Sequence, residues 1–124
     1  ASVVALAPEM FNAVYSATKA YVLSLTQTLN GEVKARGLQV QAVLPGITRT
    51  EIWERAGIDI NTLPGVMDVG ELVDAALVGF DRREPVTIPP LQEGERWDAL
   101  QTARQGLLSQ IRQSVVAPRY LTEV

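Results

Sequence analysis

The chain contains no cysteine and no histidine. Without cysteine it can form no disulfide framework, so nothing in the composition points outside the cell, and a cytoplasmic setting is expected. Without either residue it can build none of the usual zinc sites, and no metal site is expected. Cysteine nucleophiles and Ser-His-Asp triads are excluded as well. Any acid-base chemistry must then use Asp, Glu, Lys, Tyr or Ser. Positive charge is also scarce, with 11 Lys and Arg against 14 Asp and Glu, for a net charge of -3. No basic run breaks that balance, so no nucleic-acid partner is expected. No apolar run approaches 18 residues, so no membrane span is expected. The opening "ASVVALAPEM" has no basic leader and only a short apolar stretch, and it does not read as a secretory signal.

What remains is ordinary globular material: 124 residues, 47 % hydrophobic and 20 % charged. That supports one folded domain over 1–124 and argues against disorder. Residues 1–7, "ASVVALA", read as the end of a buried strand, with Pro8 closing it. A helix is expected over 12–36. Val14, Ala17, Tyr21, Leu25, Thr28 and Leu29 recur along it at spacings of three and four, and Val22, Leu23 and Val33 form a second apolar stripe. Apolar residues on more than half the circumference imply burial on two sides. Lys34 and Arg36 suit the C-terminal end of this helix, and Gly37 suits the position beyond it.

"LQVQAVL" (38–44) reads as a strand entering a buried sheet, broken at Pro45-Gly46. Thr50-Glu51 open a short helix through Arg55, and residues 59–68 form a loop. Residues 69–84 form an amphipathic helix with Leu72, Ala75, Ala76 and Phe80 inward. Residues 85–90, "PVTIPP", are a short strand. From Gly94 to Val115 a polar helix carries Trp97, Leu100, Ala103, Leu107 and Ile111 on one stripe. The order strand, helix, strand, helix, strand, helix argues for an α/β fold with a parallel sheet. Two and a half strands make a thin sheet, and its faces and first edge need more cover than the chain supplies.

Three features carry chemistry. Tyr15 and Lys19, in "YSATK", share one helix face. An ammonium one turn from a phenol favours the phenolate, which suits acid-base work near neutral pH. Taken alone, the pair reads more simply as a packed aromatic and a solvent-facing lysine. Ser2 lies thirteen residues earlier, at the carboxyl end of the first strand, where ligands bind in open α/β sheets. Its hydroxyl can donate to a carbonyl oxygen on which charge develops, or simply cap a turn. "LPGITRT" follows the second strand at the equivalent end. Gly46 there permits close approach of a planar ligand, and Thr48 and Thr50 offer polar groups to a ring substituent. As an ordinary strand-to-helix turn, the same stretch would use Thr50 as an N-cap.

Together these residues resemble the short-chain dehydrogenase/reductase family. Ser2, then Tyr15-Ser16-Ala17-Thr18-Lys19, then "VLPGITRT" about thirty residues on, stand in that family's order and spacing. The likeness runs from residue 1 to about residue 90, and more loosely over the last helix. It implies a Rossmann-like fold and hydride transfer between a nicotinamide cofactor, NADP or NAD, and a small-molecule carbonyl or alcohol. Tyr15 would be the acid-base group. Lys19 would favour its phenolate and hold the nicotinamide ribose, and Ser2 would polarise the substrate carbonyl. Pro45, Gly46 and the Ile47-Thr48 backbone would face the nicotinamide, with Thr48 and Thr50 near its carboxamide. Residues 51–67 would cover the substrate. The resemblance also implies a homo-oligomer, dimer or tetramer, through the 12–36 helix.

The departures are informative too. The family's Thr-Gly-x-x-x-Gly-x-Gly turn has no counterpart here, nor has the residue that selects NAD or NADP, the Asn-Ala-Gly strand or the relay asparagine. Ala5 stands where the family places a glycine. The expectation is therefore the C-terminal half of such an enzyme, with the N-terminal dinucleotide-binding half absent and at most weak cofactor binding by this chain by itself. Pairing with a separate N-terminal half is the other assembly that would hide its apolar surface. The competing reading is a non-catalytic assembly module that keeps only the dimerisation helices.

Overall fold

The computed structural model describes residues 1–49 and 57–122. Thr50 and the short helix expected from it through Arg55 lie outside the described residues. The chain divides into two compact units, Ala1–Pro90 and Leu91–Val124.

In the first unit, helix α1 spans Ala13–Val33. Asn12 caps it, its side chain accepting from the Tyr15 N–H at 2.9 Å, which satisfies one of the helix's orphan donors. A 3-10 turn over Lys34–Arg36 continues it, and Gly37 ends it in the left-handed region at φ 75°. That conformation is the reason a glycine stands there. Strand β1, Ala42–Val43, pairs in parallel with β2, Val86–Thr87, in the register Ala42 with Val86 and Val43 with Thr87. Helix α2, Val69–Asp81, lies between them in sequence, capped by Asp68. The result is an α/β architecture with a small parallel sheet. Its core is Val4, Leu23, Ala42, Leu44 and Val86, with Leu44 fully buried.

Several elements differ from expectation. Residues 1–7 form no strand. Ser2 is extended, but Val3–Ala5 close into a 3-10 turn, because the Ser2 hydroxyl oxygen captures the Val4 N–H. What survives of strand pairing is one bond, from Val3 N–H to the Pro45 carbonyl at 3.1 Å. The strand expected over 38–44 shortens to two residues. Gln39 and Gln41 on its approach turn their side-chain amides to α2 instead, donating to the carbonyls of Phe80 and Ala76. Helix α1 is buried on one side rather than two. Ser16 and Leu23 are covered, while Val14, Tyr21, Leu25 and Leu29 are exposed. The early 3-10 turns and β1 pack on it, and the opposite stripe of Val14, Tyr21, Leu25 and Leu29 stays exposed.

The junction of α2 with β2 is close-packed. Gly79 is the buried residue of α2, and a Cβ built on it would collide with the Thr87 side chain. Phe80, expected inward, is exposed, because this near approach is made by the glycine face. Beside it, β1 and α2 enclose an open apolar groove of about 410 Å³, lined by Val43, Leu72, Val73, Ala76 and Leu77 among others. In the second unit, helix α3 spans Glu95–Ile111. Leu100, Leu107 and Ile111 of its expected stripe are exposed, and Trp97 is half-buried. No helix among the described residues is long and apolar enough to cross a membrane.

Candidate active site

Tyr15 and Lys19 sit in the first two turns of α1, and the helix period brings them together. The Lys19 ammonium lies 5.1 Å from the centre of the Tyr15 ring. On the preceding turn the Phe11 ring meets the same phenol, with 4.7 Å between centroids and a tilt of 59°. Tyr15 is 39 % exposed, and its hydroxyl hydrogen-bonds to nothing among the described residues.

Ser2 is buried, at 9 % exposure. The one hydrogen bond of its side chain among the described residues is as an acceptor, from Val4 N–H at 3.2 Å. The hydroxyl proton is thus left to donate. Neighbouring hydroxyls on α1 are spent differently. Ser16 donates to the Pro8 carbonyl, Thr18 to that of Val14, and Thr26 to that of Val22. Ser2 therefore both caps a turn and keeps a donor, so the two readings of this residue are compatible.

Pro45, Gly46, Ile47 and Thr48 leave the end of β1 half-buried. The Val3 to Pro45 bond ties this turn to the Ser2 segment. Residues 47–49 are strapped to Met67, through Met67 N–H to the Ile47 carbonyl at 2.8 Å and Arg49 N–H to the Met67 carbonyl at 2.9 Å. The Thr48 hydroxyl donates to the Gly46 carbonyl. A Cβ on Gly46 would meet only the Pro90 ring, at an ordinary 3.8 Å. The packing of the chain therefore does not itself require glycine at 46, which fits a face reserved for a flat ligand.

The structure brings Tyr15 to Lys19 and the Ser2 segment to Pro45, and Thr50 falls outside the described residues. Phe11 was not anticipated as part of this region, and Met67 was expected only as the end of the substrate-covering segment, not as the partner of residues 47–49. The strap at Met67 has no local signal. The pairing of Phe11 with Tyr15 has one, an aromatic four residues before the tyrosine.

A family model described as short chain dehydrogenase matches residues 1–61. A short-chain dehydrogenase from Sphingobium yanoikuyae, solved in complex with NADPH, is 67 % identical and superposes with a TM-score of 0.90 over 97 % of this chain. The chain belongs to the short-chain dehydrogenase/reductase family. A bulky-bulky ketone specific alcohol dehydrogenase from Comamonas testosteroni is 60 % identical over 98 % of the chain, with a TM-score of 0.84. A curated relative, the (S)-acetoin-forming diacetyl reductase of Staphylococcus epidermidis, is 38 % identical over 61 residues, 49 % of this chain. The chain spans 47 % and 45 % of the two solved proteins and 24 % of the reductase, less than half of each. Within the family, the parallel pair β1–β2 and its flanking helices are part of a Rossmann-like fold.

Proposed function

We propose that this chain carries the substrate side of an NAD(P)-dependent oxidoreductase acting on a carbonyl or alcohol, with Ser2, Tyr15 and Lys19 as its catalytic residues. The observation that carries the reading is the state of their polar groups. A buried serine with its proton uncommitted and a phenol hydroxyl with no partner stand in one small unit, with an ammonium against the phenol ring. An unspent donor on a buried serine suits a ligand, and the Tyr15 hydroxyl beside Lys19 is open to meet one.

In reduction, the Ser2 hydroxyl donates to the substrate carbonyl oxygen and holds it as negative charge develops. The Tyr15 hydroxyl gives its proton to that oxygen as the carbonyl carbon takes up a hydride. The C=O π bond opens while C–H and O–H bonds form. The Lys19 ammonium stabilises the phenolate left behind, which regains its proton from solvent. A reduced nicotinamide, when bound, supplies the hydride. Tyr15 and Lys19 would hold its ribose. Pro45, Gly46, Ile47, Thr48 and Thr50 would face its ring and carboxamide. These residues fit the nicotinamide end of the cofactor. The pyrophosphate end needs a glycine-rich turn at a helix N-terminus, and this chain has none, so an N-terminal half would supply it. NADPH in the Sphingobium relative makes NADP the first cofactor to try, with NAD the other. The Comamonas relative makes ketones with two bulky substituents the first substrates.

The experiment is a titration with NADPH and NADH followed by their fluorescence, with and without an added N-terminal half, and then ketone-dependent oxidation of the bound cofactor. Saturable binding and turnover that Tyr15→Phe abolishes support the reading. No binding in any combination leaves the alternative, an assembly module without redox activity, which the missing glycine-rich turn favours for the chain by itself. Either way, the exposed α1 stripe of Val14, Tyr21, Leu25 and Leu29 is the surface we assign to a second copy. Leu25→Glu should shift sedimentation toward a smaller species. An unchanged oligomer, or a monomer from the start, would remove that assignment.

A further inference from the structure

Phe11 stands just before the cap of α1, on the phenol that the reading above makes the proton donor. A hydrophobic residue at that place commonly staples the helix by packing on the residue five positions later. Here that residue is Ser16, which is buried and donates to the Pro8 carbonyl. Phe11 turns to Tyr15 instead, and the contact leaves Phe11 55 % exposed. The core of Val4, Leu23, Ala42, Leu44 and Val86 closes without it. Leu6 and Met10, on the same short segment, are exposed as well. Of the 150–250 Å² that a buried aromatic ring hides, Phe11 leaves on the order of 100 Å² facing outward beside Tyr15.

A ketone whose oxygen meets the Tyr15 hydroxyl carries its substituents within a few ångströms of that hydroxyl. A ring already touching Tyr15 stands within reach of one of them. Resting on the assignment of Tyr15 as acid-base group, we propose that Phe11 is a specificity-determining residue. Its ring is the wall on which one bulky apolar or aromatic substituent of the ketone packs during proton transfer. Small ketones cover little of that ring and gain correspondingly little. Covering about half an aromatic ring is worth roughly tenfold to a hundredfold in binding.

The test is steady-state reduction of butyrophenone and of diacetyl by the protein expressed from its complete coding sequence, unaltered and as Phe11→Ala, Phe11→Leu and Phe11→Gln. Phe11→Ala should lower the ratio of kcat/KM for butyrophenone over diacetyl by about 10- to 100-fold, mainly through KM. Phe11→Leu should keep more of the ratio than Phe11→Gln, which matches a leucine roughly in size but is polar. That pair decides the matter should the alanine variant fail to fold. An equal fall on both ketones, or one carried by kcat alone, would mean that Phe11 only positions Tyr15, and the proposal is overturned. So is it if leucine and glutamine behave alike. If the unaltered protein reduces neither ketone with NADPH or NADH, the oxidoreductase reading itself fails and takes this one with it. That outcome is distinct, because there is then no activity for a variant to lose.

Discussion

Two buried hydroxyls in the same unit have opposite fates. Thr87, on β2, donates to the Glu84 carboxylate at 3.2 Å and accepts from Gln41, whose amide also reaches the Ala76 carbonyl. The Thr87 hydroxyl both donates and accepts at this junction of α2 with the sheet, and Gly79 leaves room for its side chain. The Ser2 hydroxyl accepts one N–H and spends its proton on nothing among the described residues. A few residues along, the Tyr15 hydroxyl has no partner at all among the described residues. Closed networks hold elements together, and open donors cost a fold some stability while remaining available to a ligand. The α2–β2 junction thus serves stability, and under the proposed function the Ser2–Lys19 segment serves chemistry.

That division can be broken by substitution. The largest effect expected is from Tyr15→Phe, which should cost about 10²–10⁴-fold in turnover with little change in thermal midpoint, since it removes a hydroxyl with no hydrogen-bond partner among the described residues. A large fall in the midpoint would show Tyr15 serving the fold and blur the contrast. Ser2→Ala should come next, with about 10²–10³-fold lost in kcat. Its loss of stability should be smaller than that of a residue in a closed network, although the Val4 N–H loses its acceptor. Rates within threefold of the unaltered protein would take Ser2 out of the reaction. Gly79→Ala is the mirror experiment. The added methyl meets a Thr87 side chain that Gln41 and Glu84 hold in place, so about 1–3 kcal/mol of stability should go, read by denaturant unfolding. Residual activity well below the midpoint should survive. A variant that is fully stable but inactive would invert the comparison.

The helices were legible in advance, because their signals are local. Asn12 before α1 and Gly37 after its 3-10 extension mark its ends within a residue or two. The three candidate catalytic residues were legible through their order and spacing rather than through any one of them. The first strand was misread because "ASVVALA" has the composition of a strand while the Ser2 cap turns it into a 3-10 helix. The second was overextended because glutamines 39 and 41 alternate like strand residues, yet their amides bond to α2. The burial of α1 on two faces was an inference from composition, and composition does not say whether the covering surface lies in the same chain.

By itself, then, the sequence determined which residue types are available for chemistry and where the helices begin, while the expected ends of α2 and α3 ran three and four residues past Asp81 and Ile111, because caps and periodicity act over a few positions. Only the tertiary structure decided that Gly79 must be glycine, that Phe11 lies on Tyr15 with most of its ring still open, and that Ser2 keeps its proton. Each of those depends on what a side chain meets from elsewhere in the fold, and a hydrogen bond or a steric contact over such distances leaves no mark in local pattern.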